Sequence, residues 1–309
     1  MITNIFSRSN PMNFLICIAI LLLAFIFVSI KAYPSEFGLT ESLGYFSVFF
    51  LLAFSIFLTD FIAKKSNLNK NDNYAIVFFT FFLLLIPETL SDFSVVCSNL
   101  FVLLAFRRLV SLQSLIHSKQ KIFDASIWIS IASIFEFWSI LFFVLVFVSI
   151  LIYVSNDFRN WLIPFVGVFA VTIIVILYAF IFDYTVIESI QNDAVVVFNF
   201  KHITEMLHSF SLAIFLITLL LFMLFQILYL RHYLATQQNT IKKVLALLTI
   251  GLTVYLFSDS KDNSLLLYCM APLSIIGSNF INSLNREWLK ETSLCILLVL
   301  SCISFYLVL

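Results

Sequence analysis

Long apolar runs separated by short polar stretches set the pattern of this chain. A bilayer core is crossed by about 20 apolar residues in a helix. On that measure the runs predict eleven transmembrane or partly spanning helices, at residues 14–32, 43–63, 74–87, 93–106, 125–137, 139–154, 161–182, 207–230, 244–257, 265–281 and 288–309. The third with the fourth, and the fifth with the sixth, read as two hairpins. Their tips carry acids, Glu88 with Asp92 in the first and Glu136 in the second. At 1.5 Å per residue each leg of the second hairpin reaches only roughly 20–24 Å, short of the ~30 Å hydrocarbon core. Such a hairpin must be shielded by neighbouring helices or be re-entrant. Beyond Arg107 and Arg108, the spacing of Leu109, Leu112, Leu115 and Ile116 predicts an amphipathic continuation lying in the membrane interface with its basic side chains snorkelling. The stretches HSKQK and RHYLATQQNTIKK read as polar loops, SDSKDN as a tight turn, and the N-terminal MITNIFSRSNPMN as a polar lead-in.

Composition agrees with lipid as the main solvent. Of the 309 residues 62% are hydrophobic and 11% charged, against about 25% charged in a soluble domain. The fold class expected is therefore all-α, a polytopic helical membrane protein. Five Gly and five Pro are too few for the broken helices that transporters use to build ion sites. The 38 Phe read as lipid-facing bulk. A net charge of zero gives no support to nucleic acid as a partner. No cleavable leader is evident, so the first apolar run is expected to remain as a span.

The basic residues are sorted. Eleven spans put fourteen of the 17 Lys and Arg on one side, leaving Lys31, Lys201 and Lys261 on the other. The positive-inside rule makes the crowded side cytoplasmic. The N-terminus is then cytoplasmic and the C-terminus periplasmic, in a bacterial inner membrane. Eleven of the 17 acids fall on the outer side, among them Glu36, Glu88, Asp92 and Glu136. Singly these are ordinary loop acids. Together they could line an outward cavity that holds a divalent cation or deprotonates a hydroxyl.

Other chemistry has little footing. Charges within the spans are nearly absent, which argues against pumps and proton-coupled carriers. Asp60, one turn before Lys64, is expected to pair with it. The five Cys lie in apolar runs without ligand spacing and read as small buried hydrophobes. The four His have no HxxH or HxxxH pairing, so no metal site is expected. No phosphate-binding, dinucleotide-binding or nucleophile-elbow motif occurs.

Three stretches carry a family resemblance: YPSEFGLTESLGYF after the first run, IPETLSDFSVVCSNLFVLLAFRRL, and FDASIWISIASIFEFWSILFFVLVFVSILIY. Their layout resembles the GT-C superfamily of polyprenyl-phosphate-sugar-dependent membrane glycosyltransferases. The chain as a whole also looks like an uncharacterised group of bacterial inner-membrane proteins. The GT-C resemblance covers about residues 14–182 and implies a seven-helix membrane module over residues 1–182; beyond it the hydropathy reads as an outer (periplasmic) linker over 183–206 and a four-helix C-terminal membrane segment over 207–309. The resemblance further implies Glu36 and Asp92 as catalytic acids, with Glu88, Glu136 and Lys201 assisting substrate or metal. The partner would be a polyprenyl-phosphate-linked sugar, with a divalent cation as cofactor.

Two functional readings follow, with a third behind them. The first is a non-catalytic subunit or scaffold of an envelope-assembly or export complex, with other membrane proteins as partners and the 183–206 linker as docking surface. The alternative is a GT-C-like glycosyltransferase using a lipid-linked sugar at the outer face of the inner membrane. A small-molecule transporter has the least support, given the uncharged spans.

Overall fold

A computed structural model describes residues 2–32, 39–66, 68, 72–181, 210–258 and 263–308. Within them every regular element is helical. A short turn of helix, α1 (Ile2–Phe6), precedes α2 (Pro11–Ala32), α3 (Leu39–Lys65), α4 (Tyr74–Leu85), α5 (Phe93–Ser111), α6 (Ser118–Phe135), α7 (Phe143–Tyr153) and α8 (Phe158–Ile181). The second part holds α9 (Phe210–Tyr229), α10 (Ala235–Phe257), α11 (Leu267–Ser283) and α12 (Glu287–Val308). Eight of these helices are long and apolar enough to cross a membrane, while α4 and the helical stretch Phe137–Tyr153 are apolar but shorter. This is a helical membrane protein. Glu36, Lys201 and the linker 183–206 lie outside the described residues.

Two helices form the centre. In α4, 11 of 12 residues are buried, and 94% of the span that includes α11 is buried. A helix that is apolar on every side must be surrounded, and α4 is packed by α2, α3, α11 and α12. Its ~18 Å length is tolerable because neighbouring protein, not lipid, covers it. The outer helices show the opposite: only 28% of α2, 22% of α8 and 17% of α12 is buried. In lipid there is no hydrophobic drive between helices, so close packing has to hold them. At Gly277 on α11 a Cβ would come within 2.9 Å of the Phe222 ring and 3.1 Å of Phe78. At Gly167 on α8 it would come within 2.6 Å of the Ser126 Cβ on α6. Each glycine marks a close approach of two helices.

One end of the bundle is basic. Lys64 pairs with Asp60 at 2.7 Å, as the i,i+4 spacing predicts, and also donates to Asn73 and Ser9 at 2.9 Å. The lead-in is structured there: the Tyr74 hydroxyl donates to the Thr3 carbonyl, the Asn73 N–H donates to the Phe6 carbonyl, and Asn282 donates to Asp72 at 2.7 Å. At the other end of α4, Ser304 of α12 donates to the Leu85 carbonyl at 2.8 Å, satisfying a helix-terminal acceptor.

Three boundaries differ from expectation. The helix expected to run on beyond Arg108 is cut short, ending in a 3₁₀ turn at Leu112–Ser114. α5 ends at Ser111, and Leu115 and His117 take left-handed φ of 56° and 51° that turn the chain back. Leu109 and Leu112 are fully buried in protein, whereas Leu115 and Ile116 are 57% and 64% exposed, so protein covers only the first half of the expected stripe. HSKQK supplies the first turn of α6 instead of a loop, and 235–243 supplies the first turns of α10. Both stretches are rich in good helix formers, so polarity there reflects exposure on a helix. Among the cysteines, Cys17, Cys97 and Cys269 are buried as expected, but Cys302 is exposed on α12.

A carboxylate cluster at the hairpin tips

The first tip is a single 3₁₀ turn, Pro87–Leu90, entered through Pro87, whose missing N–H costs nothing at a helix start. Glu88 is exposed on this turn. Asp92 follows as the N-cap of α5 in extended conformation (φ −94°, ψ 98°), its side chain accepting from the N–H groups of Ser94 and Val95. Capping by Asp satisfies donors that the first helical turn cannot satisfy internally. Its second oxygen, Oδ2, accepts from the Ser264 hydroxyl at 3.1 Å, tying α5 to the turn before α11.

The second tip is built differently. α6 ends at Phe135, and Glu136 takes an extended conformation (φ −140°, ψ 109°) before a 3₁₀ stretch, Phe137–Phe142, leads into α7. Glu136 is buried, 9% exposed. Its Oε1 faces the Ser258 hydroxyl at 3.5 Å, just past the end of α10. Two serines one turn apart on α5 fasten the tips together. Ser94 donates to the Phe135 carbonyl, and Ser98 donates to the Ala132 carbonyl at 3.0 Å.

Tyr268 links the two tips. It is 1% exposed and packs on Phe142 with ring centroids 5.4 Å apart. Its hydroxyl is buried without a hydrogen-bond partner among the described residues and lies within electrostatic reach of both Glu136 and Asp92. Glu88 reaches Tyr255 on α10 in the same way. Trp138 closes the side, stacked on Phe257 at 5.8 Å. Around this cluster the Asn99 amide nitrogen, the Trp138 indole N–H, the Ser139 hydroxyl and the Asn263 amide oxygen are buried without a hydrogen-bond partner among the described residues.

Of the expected site residues, the structure thus brings Asp92 and Glu136 to one polar cluster and leaves Glu88 exposed at its edge. Glu36 and Lys201 fall outside the described residues. Among the described residues no group of three His, Cys, Asp or Glu is arranged to hold a metal ion. The arrangement can do two things chemically. It joins helix ends through hydrogen bonds to carboxylates, and it keeps one buried carboxylate, Glu136, and one half-buried one, Asp92, near a phenol.

Residues that pattern reading passed over include Ser258, Ser264 and Tyr268. The run SDSKDN placed a turn opposite the acid tips, but nothing in it marked which serine meets which acid. Lys243 was also missed. It was read as a loop lysine, yet it is fully buried in α10, donates to the Leu109 carbonyl at 2.9 Å and lies 4.7 Å from the Tyr153 ring centroid. The spans are therefore not free of charge.

The chain belongs to a family of unknown function, DUF6427, whose model matches residues 1–308. No curated protein matches it. No solved structure matches it either.

Proposed function

We propose that this DUF6427 member is a non-catalytic membrane subunit, a scaffold within an envelope-assembly or export complex of the bacterial inner membrane, with its basic end cytoplasmic. The observation that carries this reading is the use made of the hairpin-tip acids. Asp92 caps a helix and takes a hydrogen bond from another, and Glu136 is buried against the end of α10. Groups committed to joining helices hold a rigid outer end in shape. The long apolar sides of α8 and α12, only 22% and 17% buried, then offer surface for partner helices.

Photo-crosslinkers at Ile174 on α8 and Val299 on α12, both exposed, test this. The reading expects a discrete crosslinked protein that also co-purifies in fixed stoichiometry in mild detergent. A monodisperse, partner-free protein carrying only lipid adducts would overturn it.

One observation favours the alternative, a GT-C-like glycosyltransferase acting on a lipid-linked sugar at the outer face. Asp92 and Glu136 both lie within electrostatic reach of Tyr268, whose buried hydroxyl has no hydrogen-bond partner among the described residues. In that reading Glu36, which lies outside the described residues, would accept the proton of the acceptor hydroxyl as general base and Asp92 would orient the acceptor, with the sugar transferred to that oxygen and the lipid phosphate leaving. Loss of transfer in Asp92→Asn, with folding intact, is the result it requires.

A further inference from the structure

The basic end holds a second site that the hairpin-tip cluster does not use. Between α3, α5 and α6 lies a cleft of about 400 Å³ lined by Lys65, Arg108 and Lys121 together with Ser111, Gln113 and Ser114. Arg107 lies alongside, its guanidinium 4.5 Å from the Phe61 ring centroid. Lys65 is over the same ring at 5.5 Å and within electrostatic reach of Arg107, Arg108 and Lys121. Among the described residues one carboxylate pairs with these four cations: Asp124, whose Oδ2 is 3.2 Å from Arg108 Nε. Lys121 is held in place by donating to the Ser111 carbonyl at 2.6 Å and the Ser114 hydroxyl at 2.7 Å. Lys65 has no hydrogen-bond partner among the described residues.

Four like charges brought together from three helices repel one another unless an anion joins them. The cleft also has an apolar approach. Phe46, Phe50, Phe54 and Phe57 are exposed at 61%, 67%, 45% and 48%. Their spacing continues to Phe61 as one stripe along α3, since residues three and four apart share a helix face. The stripe runs along the membrane-spanning part of α3 and ends under Lys65 and Arg107. Basic pockets between helices at a membrane surface suit phosphate-bearing headgroups. Arg and Lys make their strongest hydrogen bonds to such oxyanions.

We propose that this cleft binds a phosphate group, carried by an anionic lipid whose acyl chain follows the phenylalanine stripe of α3. The site is independent of the scaffold reading and of the hairpin-tip cluster.

The test is thermal unfolding of the full chain in neutral detergent, titrated with phosphatidic acid, with diacylglycerol and with inorganic phosphate. Phosphatidic acid is expected to raise the midpoint saturably, while diacylglycerol does not. The double variant Lys65→Gln/Lys121→Gln is expected to bind phosphatidic acid about tenfold more weakly or worse, since two charge-assisted contacts are lost. Arg159→Gln, an exposed cation on α8, should leave binding unchanged and controls for general charge. Stabilisation by phosphatidic acid alone assigns the site to a lipid. An equal effect of inorganic phosphate keeps the phosphate site but overturns the lipid as its carrier. No midpoint shift with either probe, or a shift undiminished in the double variant, overturns the site itself. Should the double variant unfold on purification, Lys65→Arg and Lys121→Arg, which keep the charge, must retain binding for the proposal to hold.

Discussion

Replacing Asp92 separates the two readings of the hairpin tips. Asp92→Ala removes the acceptor for the Ser94 and Val95 N–H groups and the acceptor for the Ser264 hydroxyl. Loss of an N-cap side chain costs about 0.5–2 kcal/mol. An interhelical hydrogen bond within a membrane protein contributes about 0.6 kcal/mol on average and up to about 1.7. The alanine variant should therefore lose about 1–3 kcal/mol. Asp92→Asn keeps a capping oxygen, for which Asn is as good as Asp. Its amide can donate to the Ser264 hydroxyl, which accepts as readily as it donates. The asparagine variant should lose less than about 1 kcal/mol by the same reckoning. The assay is denaturant or SDS unfolding in mixed micelles, read by tryptophan fluorescence, with complementation of a deletion strain alongside. The structural account expects Ala to be destabilised and Asn to be near wild type in both measurements. An Asn variant that folds normally but fails to complement would refute it, because the carboxylate would then be doing chemistry.

Further substitutions probe other parts of the fold. Lys243→Met should leave stability within about 1.5 kcal/mol of wild type or raise it, since relief of a buried charge offsets the lost bond to the Leu109 carbonyl. Lys243→Ala, which also opens a cavity, should cost about 2–5 kcal/mol; the same unfolding titration reads both, and equal losses would contradict the reasoning. Gly167→Val should force α8 off α6, with a cost of about 1–3 kcal/mol for the overpacked crossing; limited proteolysis of the α7–α8 connection, residues 154–157, would report it, and unchanged protection would count against the close approach. Asp72 titrates in a pH-dependent way. Burial pushes its carboxyl above the ordinary value of 3.8, against the hydrogen bond from Asn282. A raised folded-state pKa means the unfolded chain releases this proton first, so stability falls as pH rises from that ordinary value through the folded one. Asp72→Asn should flatten that slope in unfolding curves measured across the acid range, and an unchanged slope would assign the titration elsewhere.

Much of the fold could be read from hydropathy and charge. Asp60 and Lys64 paired as their spacing implied, and the acid tips Glu88, Asp92 and Glu136 gathered at the end remote from Lys64, Lys121 and Arg108. The misreadings share one physical cause. Periodicity shows that a face is apolar, not whether lipid or protein covers it. Leu109 and Leu112 therefore looked interfacial although α5 is covered there by protein, including Lys243 of α10. Lys243 itself follows Lys242 in a polar stretch, and a lysine that donates inward looks the same in sequence as one that is solvated. Asp92 and Glu136 were visible as candidates because acids are scarce beside apolar runs. Their partners Ser258 and Ser264 were not, since hydrogen bonds across 122 and 172 residues leave no local trace. The GT-C resemblance described a layout of hairpins, and the N-terminal module it implied remains a proposal.

The account depends on the two ends of the bundle facing opposite sides of a membrane, carboxylate tips outward and the basic cleft inward. Single cysteines at Ser91, beside the first tip, and at Lys119, at the start of α6, are both exposed positions. They would be placed in a background with Cys295 and Cys302 replaced by serine and labelled with a membrane-impermeant maleimide on spheroplasts. The account predicts that Ser91→Cys is labelled on intact spheroplasts and Lys119→Cys only after the membrane is permeabilised. Labelling of both on intact spheroplasts, or of Lys119→Cys alone, would contradict it.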